Sequence, residues 1–323
     1  MTRRSVLVAA LVLVATAAAT GADRRGPIES RDEWLLAQPR LTLPATSPDP
    51  LPAGGLRMRL DFDWGNDFGW DQDRAGETPR DRRFIVDGEH RALALSARRG
   101  LTPRWEAGVR LPLRWRGPGI LDGLIDWWHR RALGWLGSID NGRSRFRTDL
   151  FRVEGRDAEF RPVRLDGGMG AGVGKVELEL RRTLSASADG WRSAAIARVA
   201  LPTGTGPFAG GGLDAGLQIV AAHGLGPRFD LYAGAGATVF AQRAVQGIDD
   251  TRARASGFLV LEWRPARAVS VLAETSVSSR LVTNLARYPG LQQYLKLGTK
   301  VDLRGWTVEG GFTEGLIGQQ ATT

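Results

Sequence analysis

Three histidines, His90, His129 and His223, are the residues of this chain best suited to acid–base chemistry. His90 shares a predicted strand with Ser96, and a histidine in contact with a serine can activate it as a nucleophile. Their separation of six residues corresponds to about 20 Å along a strand, too far for direct proton transfer. His129 falls on a predicted loop helix and His223 on a predicted turn. We therefore expect structural roles for the histidines and assign no catalytic residue.

Motifs for other kinds of site are missing from the sequence. It contains no GxSxG, no HExxH and no cysteine, which excludes thiolate metal sites and thiol catalysis. Glycine-rich stretches at 204–206 and 210–212 lack the lysine and helix of a phosphate-binding loop. We expect neither a metal ion nor a cofactor. Basic residues give a net charge of +9 but are spread along the chain, so nucleic acid is not an expected partner.

Apolar and polar residues alternate repeatedly beyond residue 55, which places one set on each face of a sheet. Many segments have the ~9–12 residues of a tilted membrane-spanning strand. Short turns alternate with long loops, as in outer-membrane barrels. The sequence therefore predicts an all-β fold, an antiparallel transmembrane β-barrel. Its predicted strands are 56–64, 84–98, 104–115, 172–182, 191–202, 212–222, 228–241, 253–264, 268–279, 291–303 and 305–315.

These eleven strands cannot close an ordinary bacterial barrel, in which the number of strands is even. We expect about twelve strands when the barrel is complete, with an inward-running strand missing from the predicted set. Either the sequence is truncated at its C-terminus or the N-terminal stretch supplies the twelfth strand.

The polar phase of the strands predicts a charged lumen. Basic and acidic residues are nearly balanced there, whereas a strongly selective ion pore would carry rings of one sign. Paired charges filling a narrow, wet interior explain the balance better. The lumen-facing candidates are Arg57, Arg59, Asp61, Asp63, Arg104, Glu106, Arg110, Arg114, Lys175, Glu177, Glu179 and Arg198.

Tryptophans on the apolar phase provide an independent indication of the environment. They fall at the two ends of the predicted strands, as in the aromatic girdles of lipid-facing barrels. A soluble sandwich with one wet face, the alternative fold, gives no reason for this sorting. The expected girdle residues are Trp64 and Trp115 at the outer rim and Trp105, Trp191, Trp263 and Trp306 at the periplasmic rim.

The N-terminus resembles an export signal. Arg3 and Arg4 precede an apolar run and the small residues at 20–22, which predicts a signal peptide over 1–22 with cleavage after Ala22, or alternatively after Ala19. The proline- and charge-rich stretch 23–53 is expected to form a periplasmic arm or to fold into the lumen. Residues 54–323 form the predicted barrel, and the expected location is the cell outer membrane.

One long loop contains helical periodicity over 118–136. This amphipathic helix could lie in the outer interface, cap the barrel mouth or simply pack, and its notable residues are Trp127, Trp128, His129 and Trp135. Arginines are frequent in the predicted outer loops, where they could meet lipopolysaccharide phosphates.

Several short motifs resemble an exported proteobacterial family, the domain of unknown function 3187. They are 26–32, Asp63-Trp64 with Asn66, 87–89 and the run from Trp115 to His129. The resemblance covers most of the chain after residue 22 and implies an outer-membrane barrel, but it implies no activity. Members of that family end in a strand closing on an aromatic residue, and this chain lacks such an ending.

The sequence leaves three functions open. The first is a narrow passive channel for small solutes or a structural envelope protein. The second is an outer-membrane lipid-modifying enzyme with His90 or His129 as base, and the third is a lipopolysaccharide- or protein-binding scaffold. Expected partners are outer-membrane lipid, lipopolysaccharide and the barrel assembly machinery. The sequence does not indicate the oligomeric state.

Overall fold

The protein is all-β. The computed structural model describes residues 25–32, 34–70, 84–118, 120–121, 123, 151–186, 190–286, 288–303 and 305–317, together with the backbone of 10–18. Its strands are β1 (Ala10–Ala18), β2 (Leu56–Trp70), β3 (Phe84–Thr102), β4 (Trp105–Gly117), β5 (Arg152–Arg156), β6 (Pro162–Arg164), β7 (Gly170–Val173), β8 (Glu177–Ala186), β9 (Arg192–Ala200), β10 (Asp214–Gly224), β11 (Phe229–Phe240), β12 (Ala244–Val245), β13 (Ile248–Asp249), β14 (Ala253–Ala266), β15 (Val269–Ser279), β16 (Leu291–Leu303) and β17 (Trp306–Ile317). A 3-10 helix spans Gly206–Phe208.

The long strands pair antiparallel in a cyclic order. Pairing runs through β3, β2, β1, β17, β16, β15, β14, β11, β10, β9, β8 and β4, and β4 pairs in turn with β3. Twelve strands therefore make up this order, while β5 pairs with β3, β6 with β5 and β7 with β4, and β12 and β13 form a separate hairpin. Each of the eleven strands predicted from the sequence corresponds to one strand of the cycle. The all-β antiparallel prediction is confirmed.

The twelfth position is taken by β1. This strand lies between β2 and β17 and is antiparallel to both. The N-terminal stretch, one of the two expected sources, thus occupies the place of the missing strand. Its residues belong to the predicted signal peptide, so the fate of β1 in the exported protein depends on cleavage.

Burial alternates along the strands, with the enclosed face polar. On β10, Gln218 and Val220 are 1% and 0% exposed, whereas Leu217 and Ile219, which alternate with them, are 56% and 47% exposed. Most buried charged residues of the other strands follow the same phase, and most exposed leucines follow the opposite one. The sheet therefore presents an apolar exterior and a charged interior, the reverse of a soluble sandwich.

The two ends of the cyclic sheet differ. Short connections at 103–104, 225–228, 267–268 and 304–305 define what we call the short-turn end. Longer connections join the same strands at the opposite, long-loop end. Within the described residues, no helix has the length and apolar character needed to cross a membrane. The predicted loop helix over 118–136, including Trp127, Trp128, His129 and Trp135, falls almost wholly outside the described residues.

Residues 25–53, which we call the interior segment, run inside the sheet. They start near the short-turn end, turn at Trp34–Arg40 and return to β2, with most of their side chains buried. The turn packs into an apolar cluster at the long-loop end, where Trp34 stacks on Tyr288 at a ring-centroid distance of 5.4 Å. The expectation of a periplasmic arm does not describe these residues, because strand side chains bind them on every side.

Candidate functional site

The charged interior forms a connected network. Of the lumen-facing candidates, Arg59, Asp61, Asp63, Glu106, Arg114, Lys175, Glu177 and Arg198 are buried, and Arg57, Arg110 and Glu179 are partly buried. Arg104 is the exception. It lies in the two-residue turn between β3 and β4 and is exposed. The alternation predicted it to face the lumen, but the strand begins one residue later, at Trp105.

Opposite charges account for how the interior tolerates so many ionisable groups. Arg98 of β3 lies 3.2 Å from Glu179 of β8, and Arg198 of β9 donates to the same carboxylate at 2.7 Å. Lys296 bonds Glu274 at 2.9 Å, linking β16 to β15. Buried charges are costly unless they are paired and hydrogen-bonded. The balanced composition predicted from the sequence therefore takes the form of ion pairs that cross between strands.

The interior segment supplies charges to the same network. Its Glu29 accepts from Arg98 at 2.8 Å, and its Arg31 forms an ion pair with Glu177. Further along, Asp32 lies 3.0 Å from Arg254 of β14. Successive residues of the segment are thus held by different walls of the sheet, which fixes the segment near the middle of the interior.

Backbone groups of the segment are also satisfied by strand side chains. At the short-turn end, Gly26 N–H donates to Glu262 at 2.9 Å, and Lys300 donates to the Pro27 carbonyl at 3.2 Å. On the returning limb, Leu51 N–H donates to Glu106 at 2.8 Å. A segment without regular structure must satisfy its buried backbone groups through such partners. The strand carboxylates thus accept hydrogen bonds from backbone N–H groups of the segment.

The end of the turn is held by Arg40. Its side chain is fully buried, lies 3.6 Å from Asp214 of β10 and donates to Asp250 at 2.6 Å. Lys175 pairs with Asp214 at 2.8 Å on the other side. Burial raises the pKa of Asp250 to about 7, since the charge of Arg40 only partly offsets the loss of solvent and Asp214 adds to the rise. This carboxyl, in the loop before β14, is therefore poised to titrate near neutral pH.

Glycines on the interior phase provide seats for apolar side chains of the segment. A Cβ at Gly236 of β11 would lie 2.8 Å from a methyl of Leu43, and one at Gly216 of β10 would lie 2.9 Å from its other methyl. A Cβ at Gly298 of β16 would lie 2.4 Å from Ile28 Cδ1. Larger residues at these positions would overlap the segment. The inner wall is thus shaped to receive this stretch of the chain.

His90 lies at the long-loop half of the interior between two carboxylates. Its Nδ1 is 3.0 Å from Asp67 Oδ2 and its Nε2 is 3.0 Å from Asp63 Oδ1. Both ring nitrogens are therefore within hydrogen-bonding distance of a carboxylate oxygen. Beside it, a cavity of about 100 Å³ lies between the segment and β14 to β16, with Trp34 and Phe258 among its apolar walls. Within the described residues no cluster could hold a metal ion.

The six tryptophans predicted for the girdles lie on the exterior, at both ends of the sheet. Trp105, Trp191, Trp263 and Trp306 are at the short-turn end, each more than a third exposed. At the other end, Arg91 lies over the rings of Trp64 and Trp115, 4.9 Å and 4.7 Å from their centroids.

Glu89, next to that group and part of the 87–89 motif, is fully buried. It accepts hydrogen bonds from Trp64 Nε1 at 2.7 Å and from the backbone N–H groups of Ile120 and Leu121. It therefore fixes the start of the long loop to the rim of the sheet.

Sequence reasoning missed the anchors of the interior segment, above all Glu29, Arg40 and Asp250. One signal could have located them. A stretch with charges but no period, followed by strands whose polar faces carry glycines, is expected where a chain fills its own sheet. The partners themselves could not be inferred, because Glu29 and Arg98 are 69 positions apart in the sequence.

Comparison with known proteins gives a family and distant structural likenesses. The profile of the family described as "Protein of unknown function (DUF3187)" matches residues 4–323. No curated protein matches the sequence. An outer-membrane channel of Pseudomonas putida F1 has a TM-score of 0.48 at 10% identity, covering 84% of this chain and 98% of that one. LpxR from Salmonella typhimurium has a TM-score of 0.43 at 10% identity, covering 94% of this chain and 99% of that one. The Pseudomonas putida toluene transporter TodX has a TM-score of 0.34 at 10% identity, covering 96% of this chain and 88% of that one. Likenesses of this degree carry no functional argument.

Proposed function

Because the chain belongs to the family of domain of unknown function 3187, which brings no activity with it, we propose a function from the geometry. The protein is an outer-membrane β-barrel that its own interior segment keeps closed, and it acts as a gated channel for small solutes. The sequence predicted a narrow passive channel or a structural envelope protein, and this proposal adds closure by the interior segment.

The distribution of side chains supports the membrane location. Exterior residues of the long strands are apolar, and tryptophans mark both edges of that surface, as on lipid-facing barrels. With β1 between β2 and β17, the cyclic pairing leaves no free edge among the long strands, which a lipid environment requires. Outer-membrane barrels have short turns in the periplasm and long loops outside, so we assign the short-turn end to the periplasmic side.

One observation carries the gating proposal: the interior segment fills the path between the two ends. The segment is held by ion pairs, hydrogen bonds and apolar contacts against glycines of the strands, and none of these contacts is covalent. Such contacts can be exchanged for water or for a solute. The cavity beside His90 gives a solute a place to enter between the segment and the wall.

The enzyme alternative receives no support from His90. A general base needs a ring nitrogen free to accept a proton, and both nitrogens of His90 face carboxylates at 3.0 Å. His129 lies outside the described residues. The lipopolysaccharide- or protein-binding scaffold depends on loop arginines, and most of these also lie outside the described residues.

Conductance across planar lipid bilayers tests the proposal. The intact chain should remain closed, with brief and rare openings. A double variant, Asp32→Asn with Arg40→Ser, removes anchors on the ascending limb and at the turn and should open at least about tenfold more often, because each charged partner left alone in the interior favours displacement of the segment. The matched control is Arg152→Ser with Glu154→Gln, an exposed ion pair on β5.

Three outcomes would contradict the proposal. Steady conductance of the intact chain would mean that the channel conducts with the interior segment in place. Silence of the double variant, together with silence of a chain lacking residues 27–51, would indicate a structural envelope protein. Equal opening of the control variant would mean that the effect does not come from the segment.

A further inference from the structure

A second cavity lies at the short-turn end, away from His90. It is a cleft of about 440 Å³ at the start of the interior segment, bordered by the turns before β11 and before β15. Its charged lining consists of Arg25, Arg228, Arg264, Arg267 and Asp302. Among the described lining residues the only carboxylate is thus Asp302, and positive charge is in excess.

Among the described residues, two cations of this lining, Arg228 and Arg267, form no ion pair. Arg264 is paired with Asp230, which lies behind the cleft, at 2.9 Å. Asp302 accepts a hydrogen bond from Thr307 at 2.8 Å. Arg228 and Arg267 are exposed at their turns. Elsewhere in the described interior many cations are paired with a carboxylate, as Arg98, Arg198 and Lys296 are.

Two of the arginines are neighbours across adjacent strands. The backbone N–H of Arg264 donates to the Arg228 carbonyl at 2.8 Å, directly beyond the pair formed by Phe229 and Trp263. Like charges at opposed positions of an antiparallel pair are destabilising. An anion between the guanidinium groups would convert that repulsion into attraction.

The backbone around these arginines is restricted. Pro227 precedes Arg228 and Pro265 follows Arg264, and both prolines line the cleft. Proline fixes φ and reduces the freedom of the turns that carry the guanidinium groups. Less entropy is then lost when those groups bind a ligand.

We propose that this cleft binds the phosphate group of an anionic ligand. Guanidinium forks match phosphate oxygens in bidentate geometry, and a phosphate offers three oxygens and up to two charges. A carboxylate offers two oxygens and one charge, and so matches a cluster of arginines less well than a phosphate does. Arg264 continues the interior phase of Glu262, so the cleft opens toward the aqueous mouth, which favours a soluble phosphate ester over a lipid headgroup.

The site is independent of the gating proposal, and its test uses the whole chain in neutral detergent at near-physiological ionic strength. Calorimetry measures the binding of glycerol 3-phosphate and of inorganic phosphate. A parallel arm measures retention of phosphatidylglycerol against phosphatidylcholine in lipid nanodiscs. The variant is Arg228→Gln with Arg267→Gln. The control, Arg99→Gln with Arg104→Gln, removes two exposed arginines from the same end at the opposite side of the cycle.

Binding of one phosphate probe per chain, weakened about tenfold or more in the cleft variant and unchanged in the control, would support the site. The arm in which the loss occurs identifies the source, soluble ester or lipid headgroup. Equal losses in both variants would overturn the proposal in favour of a general charge effect. Absence of binding by the intact chain in both arms would overturn it as well.

Discussion

Individual charges determine where the interior segment lies. Arg40 is enclosed with Asp214 and Asp250, and Asp32 with Arg254. A buried ion pair adds little net stability, because desolvation offsets the attraction. Removing one partner is expensive, however, because the other charge then remains buried alone. These pairs therefore specify one arrangement of the segment more than they strengthen it.

Asp250 provides a prediction at the scale of a residue. Its pKa is about 7 in the folded protein and about 4 in an unfolded chain. Between those values the folded protein keeps a proton that the unfolded chain has released, so the contribution of Asp250 to stability falls as pH rises through about 4 to 7 and is constant above 7. Asp250→Asn cannot ionise. The free energy of unfolding of the variant minus that of wild type should therefore increase by about 1–4 kcal/mol from pH 4 to pH 8.

Chemical denaturation of both proteins in detergent at the two pH values measures this difference. Asp249→Asn, next in sequence but exposed, should give no comparable change and serves as the control. A relative loss of stability in Asp250→Asn at pH 8 would mean that attraction to Arg40 outweighs burial and that the pKa lies below its ordinary value.

At the scale of elements, the strands were predictable and the interior segment was not. Period-two alternation is local, so Leu217, Gln218 and Ile219 reveal their faces without knowledge of any partner. The segment satisfies its polar groups through residues far away in sequence, as Gly26 does with Glu262. Nothing in the composition of 23–53 distinguishes a solvated arm from a chain enclosed by a sheet. Its location became evident only when the strands were assembled around it.

The place of β1 gives a prediction at the same scale. Leu60 of β2 pairs with Ala15, which pairs with Val308 of β17. Two strand spacings put Leu60 and Val308 about 10 Å apart, beyond the ~7 Å limit for a disulfide. The variant Leu60→Cys with Val308→Cys, in a full-length chain refolded into detergent, should therefore remain reduced under mild oxidant. The natural chain has no cysteine to interfere.

Leu261→Cys with Ala273→Cys is the positive control, since these exterior residues are directly paired on β14 and β15. It should form a disulfide readily. Rapid bridging of the 60/308 pair in the full-length chain would contradict the place of β1. In a chain that begins at residue 23, as expected after signal cleavage, bridging would indicate that β2 and β17 pair directly.

Most charged side chains of the long strands face the interior and most of their leucines face outward, and this inversion is what a lipid solvent selects. Large apolar side chains are exposed on strand after strand, among them Leu95, Leu180, Leu217 and Leu297. Monomeric soluble proteins rarely expose contiguous apolar patches beyond a few hundred Å². A soluble sandwich, the alternative fold considered from the sequence, would bury these leucines between two sheets. In the structure they face outward, and charged side chains occupy the enclosed face.

Leu217→Arg tests that inversion directly. Leu217 is 56% exposed, three residues after the start of β10, and arginine on a barrel's lipid face costs up to about 2–4 kcal/mol, depending on depth. On a soluble surface the same change would stay within about 0.5 kcal/mol. Leu225→Arg is the matched control, because Leu225 is 49% exposed but lies in the turn after β10, where the cost should be about 0–1 kcal/mol. Guanidinium unfolding in lipid vesicles measures both. A loss for Leu217→Arg no larger than that for Leu225→Arg would mean that the apolar face does not meet lipid, and the membrane location would have to be abandoned.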